Sequence, residues 1–418
     1  MNADELLEEL DTKLAEISPQ TVIEPESIRP VAIMTRSRRN IGELEKDLQK
    51  TLDAIKYDSR IPGLLTRLAD LHLREANLSR AIVLYETALG LDSNQTEAWI
   101  NMGLAYLMVG AVKDSVSCLG SALALEPDNI SAQVYIAEAH LQQGELEECN
   151  AILDRVLRRS STHARALMLK GKYYRAMGQL EVAATWLARA VEADSSFLPA
   201  LMELGKMRLE QKQYEEALKA LNRALNVDPE QPYALATMGD VYVETGEIET
   251  ALHYYDRAVA AKFDDPVLWI KKGDVHKMLK RYEEASNAYQ KAINADPEYV
   301  DAWVRNGSVM LLLDDESTAL EYLNTALTLE PNNADVAHQR GLIYYSLGRY
   351  EEALEDFDQS FSVEPSNPMH LYYRALMLEH LNRPDEAKRT WQVALSIFEE
   401  SGDTVKASEC RAKIKRLE

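Results

Sequence analysis

The sequence repeats itself ten times between Pro62 and Ser401, without one insertion or deletion. The period is fixed, because the interval from Gly205 to Gly239 equals the interval from Gly239 to Gly273. The period shows as columns of small residues. When each repeat is numbered from its first residue, position 8 holds Gly or Ala, position 20 holds Ala, Ser or Cys, and position 27 holds Ala, Val or Ser. A fixed period of this length predicts a solenoid, in which every repeat buries its apolar face against its neighbours.

Two stripes predict two helices in each repeat. Positions 4, 7, 8 and 11 recur at helical spacing, as in Trp99, Met102, Gly103 and Tyr106, and positions 20, 24 and 27 form a second stripe. Between them, position 15 is Gly in five repeats and Asn382 in the last, and both residue types tolerate the left-handed backbone that ends a helix. Position 32 is Pro in five repeats and cannot continue a helix. Each repeat is therefore predicted to be helix, tight turn, helix.

The columns resemble the tetratricopeptide repeat. The stretch that runs from Trp303 through Gly307 and Ala326 to Pro331 is a close copy of that pattern, and the likeness spans residues 62–401. The resemblance implies an all-α fold, a right-handed superhelical solenoid of helix-turn-helix repeats. It also implies a protein-interaction role, with a partner segment held in a concave groove that the first helices line.

The pattern divides the chain into four segments. We expect an N-terminal amphipathic helix and linker in residues 1–40, an N-terminal capping helix in 41–61, the ten repeats in 62–401 and a C-terminal capping helix in 402–418. The first helix has three possible roles: its apolar side can pack onto the repeats, remain unbound or bind a partner. The last helix is rich in Lys and Arg, which suits the open end of a solenoid, where a polar cover keeps the array soluble.

Charge and motif content argue against several classes of function, including catalysis and the binding of nucleic acids. The net charge of −22 repels nucleic acids and anionic lipid, and the chain lacks the common phosphate-binding, dinucleotide-binding, zinc-protease and serine-hydrolase signatures. The acidic start is unlike a signal peptide, and no apolar run approaches the ~18 residues of a membrane span. The three cysteines have neither a disulfide framework nor a paired metal spacing, and Cys149, in the small position-20 column, is predicted to be a buried, reduced thiol. We therefore predict a cytoplasmic protein that is not an enzyme, with no catalytic residue, no cofactor, no metal site, no nucleic-acid partner and no membrane insertion.

A candidate partner surface follows from positions 2, 5, 6, 9, 12 and 13 of the first helix, which lie opposite its buried stripe. By the resemblance, these positions line the groove. The candidate groove residues are basic, sulfur-containing or aromatic: Arg165, Met168, Lys172, Arg175, Met202, Lys206, Lys271, Arg305, Tyr345 and Tyr372. Basic residues gathered in so acidic a chain predict a protein or peptide partner with an acidic, partly apolar segment, bound by Arg and Lys and by adaptable Met. The alternative is that the charges are solvated and that position-5 residues pack between neighbouring first helices.

Three functions remain in order of preference. The first is a non-catalytic scaffold or adaptor that binds one defined partner in the groove. The second is a chaperone-like assembly factor that holds client proteins, and the third is a helical-repeat RNA binder, which the acidity and the lack of a base-reading column disfavour.

Overall fold

The structure, a computed structural model, describes residues 60–417 together with Lys46. Every regular element in this part is an α-helix, and the helices fall into two compact units that divide between Pro229 and Glu230. The expected N-terminal helix and linker, 1–40, and the part of the expected capping helix before Arg60 lie outside the described residues, apart from Lys46.

The helices of the first unit form repeats one to five. They are α1 (Ile61–Arg74), α2 (Leu78–Leu91), α3 (Thr96–Met108), α4 (Val112–Leu125), α5 (Ile130–Gln143), α6 (Leu146–Arg159), α7 (Ala164–Ala176), α8 (Leu180–Ala193), α9 (Leu198–Glu210) and α10 (Tyr214–Val227). Odd-numbered helices are the first helices of their repeats, and each packs against the even-numbered helix that follows it.

The second unit contains repeats six to ten and one further helix. Its helices are α11 (Pro232–Glu244), α12 (Ile248–Ala261), α13 (Pro266–Met278), α14 (Tyr282–Ala295), α15 (Val300–Leu312), α16 (Glu316–Leu329), α17 (Ala334–Ser346), α18 (Tyr350–Val363), α19 (Pro368–His380), α20 (Pro384–Ser401) and α21 (Thr404–Arg416). The prediction of an all-α solenoid built from helix-turn-helix repeats is confirmed. No helix among residues 60–417 combines the length and the apolar character that crossing a membrane requires.

The turn inside each repeat places position 15 in the left-handed region, with φ between 56° and 83° in all ten repeats. The next residue, at position 16, donates its N–H to the carbonyl at position 11, which completes a Schellman-type helix end. The sequence pattern favours Gly and Asn here, yet Ala76, Lys212, Lys280 and Asp314 adopt the same conformation. The packing of the two helices therefore imposes the turn whichever residue occupies it.

The small columns mark the closest helix contacts, as predicted. A Cβ atom placed on Gly205 would lie 2.7 Å from Cγ of Leu221, which is at position 24 of the same repeat. Ala217 and Ala224, at positions 20 and 27, are fully buried. Cys149 occupies the position-20 column as a free, buried thiol, and burial raises its pKa to about 11. Small residues at these positions let the two helices of a repeat approach each other directly.

Tryptophan at position 4 ties its repeat to the preceding one. The indole N–H of Trp99 donates to the carbonyl of Ser93 at 2.9 Å, and that of Trp269 donates to Phe263 at 2.7 Å. The accepting carbonyl is at position 32 in both cases, where the second helix has ended and its backbone groups need partners. The bond also fixes the orientation of the indole ring.

The last helix, α21, packs on the side of repeat ten. It buries Ala407 and Cys410 in one apolar cluster with Trp391 and Phe398 of α20. Its basic side chains bind acidic residues of the repeat: Lys413 and Arg416 lie 3.1 and 3.3 Å from the same carboxylate oxygen of Glu379. Apolar residues of α20 that would otherwise face solvent are thereby covered.

Candidate partner-binding surface

The first helices of successive repeats lie side by side within each unit. Contacts join α1, α3, α5, α7 and α9 in sequence, and likewise α11, α13 and α15. Positions 5, 6, 9, 12 and 13 of these helices lie on one side, which we call the first-helix surface. All ten candidate groove residues belong to first helices, six of them to α7 and α9 and the others to the second unit.

Two of the candidates on α7 are buried. Arg165 is 6% exposed and Met168 is 1% exposed. The Arg165 guanidinium lies 3.6 Å from a carboxylate oxygen of Glu138 and between the rings of Tyr135 and Phe197, at 5.6 and 5.7 Å from their centroids. Met168 does not face an open groove, and its burial agrees with the alternative in which position-5 residues pack inside the array.

The other basic candidates on α7 pair with carboxylates of α9. Nζ of Lys172 lies 3.2 Å from Glu203, and Nη1 of Arg175 lies 3.6 Å from the other oxygen of the same carboxylate. Arg175 also donates to Glu210. Their side chains remain 34% and 40% exposed, so both cations stand at the surface while they link repeat four to repeat five.

Lys206 and Met202 of α9 complete the set in the first unit. Both are half-buried on the first-helix surface. Within residues 60–417 Lys206 forms no ion pair, in contrast to Lys172 and Arg175.

In the second unit, Lys271 and Arg305 each bind an aspartate of the preceding repeat. Lys271 donates to Asp240 at 2.6 Å, and Nη1 of Arg305 donates to the two oxygens of Asp274 at 2.8 and 2.9 Å. Asp274 accepts a further hydrogen bond of 2.7 Å from the hydroxyl of Tyr289. These two candidate groove cations are therefore structural links between repeats as well as surface charges.

One rule of spacing covers these contacts. The residue at position 9 meets position 6 of the next repeat, in Lys172 with Glu203 and in Asp274 with Arg305. The polarity differs between the two units: position 9 holds the cation Lys172 in the first unit and the carboxylates Asp240 and Asp274 in the second. Complementary residues at these two positions of adjoining repeats are the signal by which a sequence can reveal such pairs.

One contact between position 9 and position 6 is buried, and it joins repeat one to repeat two. Asp70 is 1% exposed and accepts hydrogen bonds from the Tyr85 hydroxyl at 2.5 Å and from the Asn101 amide at 3.0 Å. Burial raises the pKa of Asp70 to about 7, against the opposing effect of the two hydrogen bonds. Aspartate at position 9 and tyrosine at position 24 occur together in repeats one, six and seven, and in each the tyrosine hydroxyl binds the aspartate.

The aromatic candidates near the C-terminus already have contacts within the chain. The hydroxyl of Tyr372 donates to Glu409 of α21 at 3.1 Å, and Nζ of Lys406 lies 4.3 Å from the centre of its ring. Tyr345 packs against Tyr373 and His380, with ring centres 6.5 and 5.7 Å away. Tyr372 thus helps to seat the last helix, and Tyr345 belongs to an aromatic cluster.

The same region holds a histidine pair that the sequence pattern does not reveal. Nδ1 of His338 and Nδ1 of His370 are 3.0 Å apart, so one ring donates to the other. His370 is 1% exposed. Burial and the neighbouring His370 lower the pKa of His338 to about 4, which keeps His338 uncharged at neutral pH.

Comparison with known proteins gives one family. Models of the tetratricopeptide repeat match residues 110–173, 208–273, 334–367, 266–299 and 164–197, together about half of the chain. No curated protein sequence matches significantly.

Solved structures with a similar arrangement of helices include the APC/C hetero-tetramer Cut9-Hcn1, at 16% identity and a TM-score of 0.48, over 80% of this chain and 81% of that one. Pseudomonas aeruginosa PilF is 23% identical, with a TM-score of 0.44, over 53% of this chain and 98% of its own. YrrB, described as having an unusual peptide-binding site, is 22% identical, with a TM-score of 0.36, over 45% and 97%.

Proposed function

This chain belongs to the tetratricopeptide repeat family, and we propose that it is a non-catalytic scaffold or adaptor that binds a partner protein on the first-helix surface. Membership of this family supports a protein-interaction role in general. We place the function in the cytoplasm, since Cys118, Cys149 and Cys410 are free and buried, as expected of thiols in a reducing compartment.

Uneven pairing of charges on α7 and α9 is the observation that carries the proposed site. Lys172 and Arg175 share the Glu203 carboxylate, while Lys206 forms no ion pair within residues 60–417. Four basic candidates in this region face three carboxylates, in a chain whose net charge is −22. A carboxylate of a partner would neutralise Lys206 and would compete with Glu210 for the bidentate face of Arg175.

The same region offers apolar contact. Met202 is half-buried beside Lys206 on the same helix, and a flexible thioether adapts its shape to different apolar side chains. We therefore propose that the partner presents an acidic segment with apolar residues, for which Lys172, Arg175, Met202 and Lys206 are the accessible contacts. Arg165 and Met168 support this surface from within.

The decisive test is capture from the native lysate with three full-length proteins: wild type, Lys206→Glu and Lys219→Glu. Lys219 is an exposed residue of α10, so its variant makes the same change of charge on a second helix of the same unit. We expect Lys206→Glu to lose the partner and Lys219→Glu to retain it, with unchanged helical circular dichroism in both. Equal yields from the two variants would place the partner elsewhere.

The same experiment separates the chaperone-like alternative. A scaffold should capture one defined partner at fixed stoichiometry, whereas an assembly factor should capture many unfolded clients. Adding a chemically unfolded model protein as a competitor would displace clients and leave a specific partner bound.

A further inference from the structure

A second series of contacts links some repeats to the preceding one, between position 7 of a first helix and position 25 of the second helix before it. Acidic residues stand at position 25 in four repeats, and the residue that meets each of them is at position 7 of the next repeat. In three of the four cases that residue is a cation. Asp154 binds Lys170 at 2.5 Å, Asp256 binds Lys272 at 2.7 Å and Asp358 binds Arg374.

Aromatic rings complete two of these three cation sites, those of Lys272 and Lys170. Nζ of Lys272 lies 5.4 Å from the ring centre of Trp269, at position 4 of the same repeat. Nζ of Lys170 is 5.8 Å from the ring of Tyr174, at position 11. A position-25 carboxylate together with an aromatic residue at position 4 or 11 thus forms a slot that holds an ammonium or guanidinium group, through ion pairing and cation–π attraction.

Repeat two has the slot but not the cation. Glu86 stands at position 25 of repeat one, Trp99 and Tyr106 occupy positions 4 and 11 of repeat two, and position 7 is Met102. At this place the first unit has an open cleft of about 410 Å³, which these four residues line together with Asp114 and Cys118. Met102 is 4% exposed and does not fill it.

The walls of the cleft are fixed and acidic. The Tyr106 hydroxyl donates to Glu86 at 2.9 Å, and the Trp99 indole is held by its bond to Ser93. Within residues 60–417, neither Glu86 nor Asp114 forms an ion pair. Two carboxylates and two oriented aromatic rings therefore surround a space from which the internal cation is missing.

The lining favours an organic cation over a metal ion. Burial and the charges of Asp114 and Glu86 raise the pKa of the Cys118 thiol to about 12, so that it is protonated and is no thiolate ligand. The remaining walls include Leu89, Trp99 and Met102, and such apolar surfaces suit the methylene chain of Lys or Arg.

We propose that this cleft binds a Lys or Arg side chain presented by a basic segment of a partner polypeptide, in the place that Lys170 and Lys272 fill in their own repeats. The site lies on α2, α3 and α4 and is separate from the first-helix surface. We assign the occupant to a partner because, among residues 60–417, the slots that hold Lys170 and Lys272 take their cation from position 7, and position 7 of repeat two is Met102.

The test follows the indole signals of the full-length chain labelled with ¹⁵N-tryptophan. The five tryptophans give five signals, and Trp99→Phe identifies that of Trp99. The probe is a blocked peptide in which glycine and arginine alternate, and its control is the same peptide with the uncharged isostere citrulline. We expect a saturable shift of the Trp99 signal with arginine and none with citrulline. A Trp99 signal that does not move, or that moves equally with both peptides, would overturn the proposal.

Matched variants exclude general attraction to an acidic protein. Glu86→Gln with Asp114→Asn should weaken peptide binding about tenfold or more, since two charge-assisted contacts become neutral ones. Glu283→Gln with Glu284→Gln changes the net charge equally at exposed positions of the second unit and should leave the affinity within about twofold. Equal weakening by both pairs would show non-specific binding.

Restoring the missing cation gives an independent readout. In Met102→Lys the new ammonium group should fill the slot, raise the melting temperature and abolish the Trp99 shift. Unaltered peptide binding by a folded Met102→Lys protein would contradict the assignment. Should that variant fail to fold, the comparison of the two double variants still decides, because the Glu86→Gln change keeps both the size of the side chain and the acceptor for Tyr106.

Discussion

Arg305 binds the Asp274 carboxylate across a repeat boundary through two hydrogen bonds from one nitrogen, at 2.8 and 2.9 Å. The first prediction is that Asp274→Ala destabilises the second unit by about 2 kcal/mol, because Arg305 and the buried Tyr289 lose a charged acceptor. Urea unfolding measures the loss, and a double-mutant cycle with Arg305→Ala isolates the coupling between the two side chains. Glu283→Gln, at an exposed position without an ion pair among the described residues, should change stability by less than about 0.5 kcal/mol. If Asp274→Ala lowers the free energy of unfolding no more than this control does, the contact between Asp274 and Arg305 does not stabilise the second unit.

The second prediction concerns the left-handed position of the turn. Ala76 has φ of 56° there, a conformation that costs an L-residue about 1–2 kcal/mol and glycine almost nothing. Ala76→Gly should therefore raise the midpoint of thermal unfolding. The free energy of unfolding should increase by up to about 1 kcal/mol, once the greater freedom of glycine in the unfolded chain is subtracted. Gly246→Ala, at the same position with φ of 83°, is the reciprocal variant and should lower it. Changes of the same sign in both proteins would contradict a conformational origin.

The third prediction compares two glycines of the same column. A Cβ on Gly273 would lie 2.5 Å from Cε1 of Tyr289, whereas a Cβ on Gly307 would lie 3.3 Å from Cγ of Leu323. The ring of Tyr289 is also held by its bond to Asp274, so it cannot move aside without breaking that bond. Gly273→Ala should cost about 1–3 kcal/mol through overpacking, while Gly307→Ala should be neutral or slightly stabilising, since alanine favours helix. Equal melting temperatures for the two variants would show that the contact at Gly273 is not tight.

The fourth prediction is a pH dependence in the second unit. An unfolded histidine has a pKa near 6.5, about 2.5 pH units above that of His338. As pH falls from about 6.5 towards 4, the unfolded state therefore binds a proton that the folded state does not, and the free energy of unfolding decreases. The groups facing this pair are Glu364, 3.6 Å from Nε2 of His370, and Asp335, which favours the charged form of His338.

His338→Gln should flatten this decrease. The measurement is urea unfolding of wild type and variant at pH 7.5, 6 and 5, where carboxylates contribute equally to both proteins. Parallel profiles of the two proteins would exclude His338 as the titrating group. His253→Gln, at an exposed histidine of α12, is the control and should keep the profile of the wild type.

The period of the sequence is sufficient to predict the architecture. Two apolar stripes and a column of small residues within one short repeat leave one way to pack, and the turn at position 15 follows from that packing. What the columns cannot show is which turn residues are strained, because nothing in the residue type of Ala76 or Lys280 announces a positive φ. The local sequence pattern therefore predicts the fold, but it does not predict which turn residues adopt a strained backbone conformation.

The candidate site is harder to predict for a different reason. Within residues 60–417, the ion pairs of Lys172 and Lys271 involve no residue of their own helices, whereas Arg305 also pairs with Asp301 of its own helix. The inter-repeat partners of these three cations lie in adjoining repeats, and carboxylate and cation exchange places between the first unit and the second. Pairing of this kind becomes visible only when position 9 of each repeat is compared with position 6 of the next repeat.

The contacts between position 9 and position 6 also determine how such an array can change its length during evolution. Loss of residues 266–299, one whole repeat, would bring Asp240 opposite Arg305, and the junction would remain complementary. Loss of residues 164–197 would instead bring Glu138 opposite Glu203, two like charges at a packed boundary. Repeats of identical length are consequently not interchangeable. Deletion of some repeats would keep the charges at the new junction complementary, while deletion of others would bring like charges together.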